Sequence, residues 1–279
     1  MHTAAMPMRD DVARTSPVPA DFVEAGAGPL VVLVHASTAG ARQWSALMRD
    51  LQDRFHVRAV NLFGYGNTPA WSGPEAPALG DFADLVAAAV PSAARAVHLV
   101  GHSFGGAVAM QAAARQLRGR VASLVLIEPS LFYLLDHGGQ REAFAEISAV
   151  AARTKQSIAE GRPADAAECF IDYWCGPGTF AAASPERQCV FARAVAIVPH
   201  EFDAVLTGER TLAGWAAALP RRTLAIASAR TKRPSREVVE LLLSARTEWE
   251  FARLPGGSHM APLTHPQLVN PLVGDFVAN

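Results

Sequence analysis

Residues 97–111 constrain the fold of this chain more than any other stretch. Val97–Val100 is a short aliphatic run typical of a buried strand, and the Ala- and Met-rich residues from Phe104 onward predict a helix. Between them lies Gly101-His102-Ser103-Phe104-Gly105, a G-x-S-x-G turn that joins strand to helix. Glycines on either side let the chain fold back tightly, so the Ser103 hydroxyl is exposed next to the first amides of the helix. The turn therefore predicts that Ser103 is a nucleophile rather than an incidental serine.

The composition narrows the class of protein. Half of the 279 residues are hydrophobic and only 18% are charged, which indicates a large buried core. A formal net charge of −1 offers no basic surface to nucleic acid or to an anionic membrane. The N-terminal residues lack the apolar segment of a signal peptide, and no stretch approaches the ~18 apolar residues of a membrane span. We expect a soluble cytoplasmic protein, a monomer or homodimer, whose partner is a small-molecule substrate.

The three cysteines give no sign of a metal site. Cys169, Cys175 and Cys189 share one region, but their spacings match no zinc pattern. We expect reduced packing thiols, no metal and no cofactor.

Predicted strands alternate with predicted helices along most of the chain, which indicates an α/β fold with a mostly parallel sheet and helices on both faces. The strands are expected at residues 30–34, 57–60, 97–100, 123–127, 223–227 and 249–254, and the helices at 41–51, 79–94, 107–117, 235–245 and 267–277. Residues 131–218 contain helical stretches but no convincing strand. We therefore divide the chain into a flexible N-terminal arm (1–20), a core in two parts (21–130 and 219–279) and a helical cap (131–218) over the carboxyl edge of the sheet.

A serine nucleophile needs a base, and His259 is the strongest candidate among nine histidines. It lies in a Gly-rich loop between the last strand and the last helix, at the same sheet edge as Ser103. His35 ends the first predicted core strand, where the amide of Ala36 or Ser37 can supply an oxyanion donor beside that of Phe104.

These segments together resemble α/β-hydrolases over nearly the whole chain. The matching motifs are Val-His-Ala-Ser-Thr after the first core strand, the Gly64-Tyr65-Gly66 loop, Gly-His-Ser-Phe-Gly-Gly at the nucleophile, and Gly-Gly-Ser-His-Met-Ala-Pro-Leu-Thr-His-Pro near the end. The resemblance implies the chain order nucleophile, acid, histidine, with Ser103 and His259 as the first and last members.

The acid departs from the common family pattern. Thr231 stands where most relatives have Asp, after the next-to-last core strand. Some relatives place the acid at the end of the strand that follows the nucleophile's strand, which here ends at Glu128. Glu128 is therefore the preferred acid, and Asp136 and Asp203 are the fallback candidates.

These residues predict a cofactor-free serine hydrolase that cleaves a small or medium apolar carboxylic ester through an acyl-enzyme. Substrate contacts are expected from His35, Phe132, Tyr133 and Trp174, and Phe180 and Trp215 would complete an apolar, aromatic-leaning pocket if they face inward. Two alternatives remain open. One is a C–C bond hydrolase or haloperoxidase-like member of the same fold. The other is a non-catalytic ligand-binding protein, for which Thr231 in the usual acid position is the main support.

Overall fold

The computed structural model describes residues 19–279, so the predicted arm lies almost entirely outside the described residues. Its centre is a seven-stranded sheet with the order β1-β3-β2-β4-β5-β6-β7. β1 pairs antiparallel with β3, and every other pair is parallel. The strands are β1 (Phe22–Ala25), β2 (Leu30–Val34), β3 (His56–Val60), β4 (Val97–His102), β5 (Val121–Ile127), β6 (Thr223–Ala227) and β7 (Glu250–Arg253). This confirms the predicted fold class.

The central strands are apolar at consecutive positions because both faces of the sheet are covered. In β2, Val32 and Val34 pack on one face, whereas Val31 and Leu33 pack on the other. The same alternation runs through β5. A parallel sheet buried in this way brings all its carboxyl ends to one edge.

Twelve α-helices surround the sheet in the part of the chain that the structure describes. They are α1 (Ser45–Leu51), α2 (Leu79–Ala88), α3 (Phe104–Gln111), α4 (Tyr133–His137), α5 (Arg141–Ala159), α6 (Pro163–Cys175), α7 (Pro185–Ala194), α8 (Val198–Leu206), α9 (Leu212–Ala218), α10 (Arg233–Ala245), α11 (Ala261–Thr264) and α12 (Pro266–Ala278). Helices α1 and α12 contribute to the core on one face, and α2, α3 and α10 contribute to the core on the other.

Several predicted boundaries were wrong. The helix predicted at 79–94 ends at Ala88, a few residues before Pro91, which cannot donate a helical hydrogen bond. The helix predicted from Phe104 onward does begin at Phe104, directly after Ser103, but its last turn, Ala112–Gln116, is a π-helix. The edge strand β1 was missed, because four residues with two exposed side chains give a weak strand signal.

The insertion between β5 and β6 is helical, as predicted. Helix α5 packs against α6 and α8, and α8 also contacts α2 and α3 of the core. The insertion therefore lies over the carboxyl edge, where β4 delivers Ser103. The exact limits assigned to core and cap stay a prediction.

Candidate active site

Ser103 occupies a strained turn between β4 and α3. Its backbone angles are φ 55° and ψ −122°, in a region that residues with a Cβ rarely adopt. A Cβ on Gly105 would lie 2.3 Å from the carbonyl oxygen of Val34 and 2.4 Å from that of His35. A Cβ on Gly101 would lie 2.4 Å from the carbonyl oxygen of Gly105. Glycine is therefore required on both sides of Ser103 by close backbone packing.

A continuous hydrogen-bond chain runs from Ser103 through His259 to Glu128. His259 Nε2 lies 2.8 Å from Ser103 Oγ, and His259 Nδ1 lies 2.7 Å from Glu128 Oε2. The three side chains are buried, at 6%, 2% and 0% relative exposure. Because an ionised carboxylate only accepts, Nδ1 carries the imidazole proton and Nε2 accepts the hydroxyl proton of Ser103.

The electrostatic environment of Glu128 favours its ionised form. Burial raises its pKa, but hydrogen bonds from His259, from the Thr231 hydroxyl and from the Ser228 N–H outweigh burial and lower the pKa to about 2. The Ser228 N–H lies 2.7 Å from Oε1, and the Thr231 hydroxyl lies 2.5 Å from Oε2. Glu128 is thus a buried carboxylate at neutral pH, with three donors aimed at it.

Thr231 has a place in this network, although it cannot replace the Asp found in relatives. It donates to Glu128, which comes from the neighbouring strand β5. The fallback acids lie elsewhere: Asp136 is exposed at the end of α4, and Asp203 pairs with Lys155 in the cap. The carboxylate that contacts His259 is therefore Glu128, at the end of β5, and Thr231 is one of its hydrogen-bond donors.

The predicted oxyanion donors differ in availability. The N–H of Ala36 already donates to Gln43 Oε1 at 3.0 Å, a contact that sequence reasoning missed. Within residues 19–279, the N–H groups of Ser37 and Phe104 have no hydrogen-bond partner, and both residues line the cavity that contains Ser103. Ser37 and Phe104 are thus the available pair.

A narrow cavity of about 20 Å³ opens beside the nucleophile, and apolar cap side chains form most of its wall. A space of this size holds about one water molecule, so an ester can bind only if the lining side chains move apart. Trp174 stacks on His259, with ring centroids 4.0 Å apart and planes inclined by 29°. The lining residues are Ser37, Ser103, Phe104, Ser130, Phe132, Phe170, Trp174, Val198, Glu201, Phe202 and Val205.

Of the six predicted substrate-contact and pocket residues, Phe132 and Trp174 line this cavity, whereas His35, Tyr133, Phe180 and Trp215 are not among its lining residues. His35 is fully buried, with Nδ1 bonded to the carbonyl oxygen of Ala36 and Nε2 accepting from the N–H of Leu62. The Tyr133 hydroxyl donates a hydrogen bond to the carbonyl oxygen of Arg210 and accepts one from the indole N–H of Trp215. Both rings are therefore engaged in structural contacts away from the cavity.

Ser130, His102 and Glu201 also lie close to Ser103 or to its cavity, and none of them was predicted as a site residue. Ser130 Oγ lies 3.1 Å from Ser103 Oγ. His102 Nε2 donates to the carbonyl oxygen of His259 at 2.8 Å, and burial lowers its pKa to about 3, so the ring is neutral. Glu201 projects into the cavity from α8. Ser130 lies just after the end of β5. His102 is next to Ser103 in the chain, but its partner His259 is 157 positions away. Glu201 reaches the cavity from a distant part of the chain, on helix α8.

Other kinds of site find no support in the described residues. Residues 19–279 contain no group of three or more His, Cys, Asp or Glu side chains arranged to hold a metal ion. Among the same residues, no helix combines the length and apolarity needed to cross a membrane.

The fold and this Ser–His–Glu arrangement are those of α/β-hydrolases. The chain belongs to the alpha/beta hydrolase family, whose model matches residues 31–272. It is 29% identical to a pimeloyl-[acyl-carrier protein] methyl ester esterase of Methylococcus capsulatus, over 92% of this chain and 98% of that protein.

Solved structures share the fold at lower identity. A hydrolase from Pseudomonas aeruginosa is 23% identical, with a TM-score of 0.69 over 92% of this chain and 94% of the other. A bromoperoxidase from Bacillus anthracis is 19% identical, with a TM-score of 0.74 over 92% and 95%. The protein is thus an α/β-hydrolase enzyme.

Proposed function

We propose that this protein hydrolyses small or medium apolar carboxylic esters, with Ser103 as nucleophile, His259 as base and Glu128 as acid. The observation that carries the proposal is the unbroken hydrogen-bond chain through these three side chains, which ends in a cavity lined by apolar residues. The methyl ester esterase named above supports the ester class of substrate.

In the acylation step, His259 Nε2 takes the hydroxyl proton of Ser103 while Oγ attacks the ester carbonyl carbon. The carbonyl oxygen becomes an oxyanion, which accepts from the N–H groups of Ser37 and Phe104. Glu128 holds the imidazolium in place and offsets its charge. The imidazolium then gives its proton to the departing alcohol, which leaves an acyl group on Ser103.

Water completes the cycle by the same route. His259 removes a proton from water, the hydroxide attacks the acyl carbon, and the carboxylic acid leaves as Ser103 regains its proton. Each oxyanion donor contributes about 3 kcal/mol to lowering the barrier. The donors are held in place before the substrate arrives, because backbone packing around Gly105 fixes the turn.

Thr231 in the usual acid position gives little support to a non-catalytic binding protein, because its hydroxyl donates to Glu128, and Glu128 in turn contacts His259.

Hydrolysis of 4-nitrophenyl acetate and butyrate tests the proposal. We expect turnover by the wild type and a loss of about 10⁴-fold or more in kcat for Ser103→Ala. Asp136→Asn, an exposed carboxyl away from the cavity, serves as the matched control and should keep wild-type turnover. Equal turnover by wild type and Ser103→Ala would refute the proposal.

A further inference from the structure

Glu201 is a buried acid in the wall of the same cavity as Ser103. It lies on helix α8 of the cap, and its side chain is only 2% exposed. The cavity wall around it comprises Phe170, Trp174, Val198, Phe202 and Val205, together with the serine hydroxyls near the nucleophile. Within residues 19–279, no lysine or arginine lines the cavity. A carboxyl group in such surroundings is costly to bury and needs a physical reason.

Tyr65 is the hydrogen-bond partner of the Glu201 side chain among residues 19–279, and the Ser37 hydroxyl also lies near enough to the carboxyl to lower its pKa. The Tyr65 hydroxyl donates to Oε1 at 3.0 Å, and Tyr65 is itself held by the N–H of Thr38 at 2.8 Å. Oε2 is buried and has no hydrogen-bond partner among residues 19–279. The bond to Tyr65 fixes the carboxyl, so anchoring α8 to the core explains Oε1. It does not explain why a second polar oxygen is kept in the cavity wall.

We propose that Glu201 is a substrate-recognition residue, and that its Oε2 accepts a hydrogen bond from a hydroxyl or ammonium group on the ester substrate. This inference rests on the proposed function and narrows it: the substrate is apolar except for one donor. A substrate carboxylate beside Glu201 would be repelled by the ionised side chain, and the cavity lining within residues 19–279 includes no lysine or arginine to offset that charge. Burial raises the pKa of Glu201 to about 7, against the opposing effect of the Ser37 and Tyr65 hydroxyls, so the carboxyl is ionised in slightly alkaline solution and can pair with a cation.

A site with a buried acceptor selects against ligands that lack the matching donor. An isosteric alkyl group would occupy the same space but leave Oε2 unpaired. The resulting loss of affinity is far larger than the loss caused by a change of one methylene. Glu201 therefore distinguishes ligands of equal size and different polarity, whereas the aromatic wall distinguishes them by size.

Matched phenylboronic acids test this assignment without requiring that they be turned over. Boron accepts Ser103 Oγ to form a tetrahedral adduct, which directs the ring into the cavity. The series carries ethyl, hydroxymethyl or aminomethyl at the meta or para position, so that size is constant and only the donor changes. Inhibition constants are measured against hydrolysis of 4-nitrophenyl acetate by wild type, Glu201→Met and Glu201→Gln.

We expect at least one donor-bearing compound to inhibit the wild type about tenfold or more tightly than its ethyl analogue. Glu201→Met should abolish that preference while the ethyl compounds keep their affinity. Glu201→Gln retains a carbonyl oxygen without charge, so it should keep a preference for hydroxymethyl and lose one for aminomethyl. If Glu201→Met does not fold, the Gln variant still decides between a charged and a neutral donor.

The results that would overturn the role of Glu201 differ from the result that would overturn the proposed function. Equal affinities for ethyl and donor compounds in the wild type, or a preference unchanged in both variants, removes Glu201 from recognition while leaving the hydrolase intact. Absence of Ser103-dependent hydrolysis of 4-nitrophenyl acetate instead removes the proposed function on which the inference rests.

Discussion

Three donors hold the Glu128 carboxylate at the end of β5: the imidazole of His259, the Ser228 N–H and the Thr231 hydroxyl. Two of these donors come from residues that follow β6. The contacts of this one carboxylate therefore join the ends of two neighbouring strands to His259, which supports the proposed role of Glu128 as the acid.

Replacing Glu128 by Gln should lower kcat by about 10³–10⁴-fold, because a neutral amide neither stabilises the imidazolium nor selects the Nδ1–H tautomer. Steady-state hydrolysis of 4-nitrophenyl butyrate measures the effect. Asp203→Asn is the matched control, since that carboxyl pairs with Lys155 in the cap. Near-normal turnover by Glu128→Gln would remove this residue from the triad.

The sequence could predict these residues because each follows the carboxyl end of a parallel strand, Ser103 and Glu128 directly and His259 within the loop after β7. Ser103, Glu128 and His259 follow β4, β5 and β7, and parallel strands bring their carboxyl ends to one edge. Glu201 carries no such signal. It reaches the cavity only through the packing of α8 over the core, and its contact with Tyr65 joins residues 136 positions apart. Tertiary packing of the cap decides that contact, and no local pattern reports it.

The turn between β4 and α3 is a closely packed part of the fold. Gly105 has no room for a side chain, because a Cβ would meet two backbone oxygens of the β2 end. The same contact brings the β2 end, and hence Ser37, to the nucleophile. The packing that makes the turn sterically demanding is therefore the packing that assembles the oxyanion donors.

Gly105→Ala should prevent folding or destabilise the protein by several kcal/mol, since backbone oxygens cannot move aside cheaply. Gly80→Ala is the matched control: it lies inside α2, with its nearest neighbour 4.0 Å from the new Cβ. This control should leave stability unchanged or raise it by up to ~1 kcal/mol. Thermal unfolding followed by circular dichroism compares the two, and equal melting temperatures would contradict the account of the turn.

The cap contacts His259, the proposed base, directly through Trp174 of α6. Trp174→Phe retains an aromatic ring against His259 and should keep kcat/KM within about tenfold, whereas Trp174→Ala should lower it by about 10–100-fold, because the histidine loses its stacked neighbour and water enters. Trp215→Phe changes an equally buried indole of the insertion away from the cavity and should have no effect on kcat/KM. Similar kcat/KM values for Trp174→Ala and wild type would show that the stacking is incidental.

In the whole molecule, the two buried glutamates make the unfolding free energy depend on pH in opposite directions. Glu128 has a pKa lowered to about 2 from 4.5, so its contribution is fully present above pH 4.5 and is lost as the pH falls toward 2. Glu201 has a pKa raised to about 7 from 4.5. The folded state therefore retains a proton that the unfolded state releases, and stability falls as the pH rises from 4.5 to 7.

This difference predicts the pH dependence of a Glu201→Gln variant. Between pH 4.5 and pH 8 the variant should gain about 3 kcal/mol in unfolding free energy relative to the wild type, because it lacks the titrating carboxyl. Tyr65, the titratable side chain bonded to Glu201, has its pKa raised by burial and stays neutral over this range. Denaturant unfolding at the two pH values measures the change, with exposed Glu209→Gln as control. A pH-independent difference between wild type and Glu201→Gln would contradict the raised pKa.

Intact mass after reaction with a fluorophosphonate shows directly whether His259 activates Ser103. Wild type, Ser103→Ala and His259→Ala are treated in parallel, with Asp136→Asn as a control. We expect a single adduct on the wild type and on Asp136→Asn, and none on Ser103→Ala or His259→Ala. An unmodified wild type, or an adduct that persists in Ser103→Ala, would contradict it.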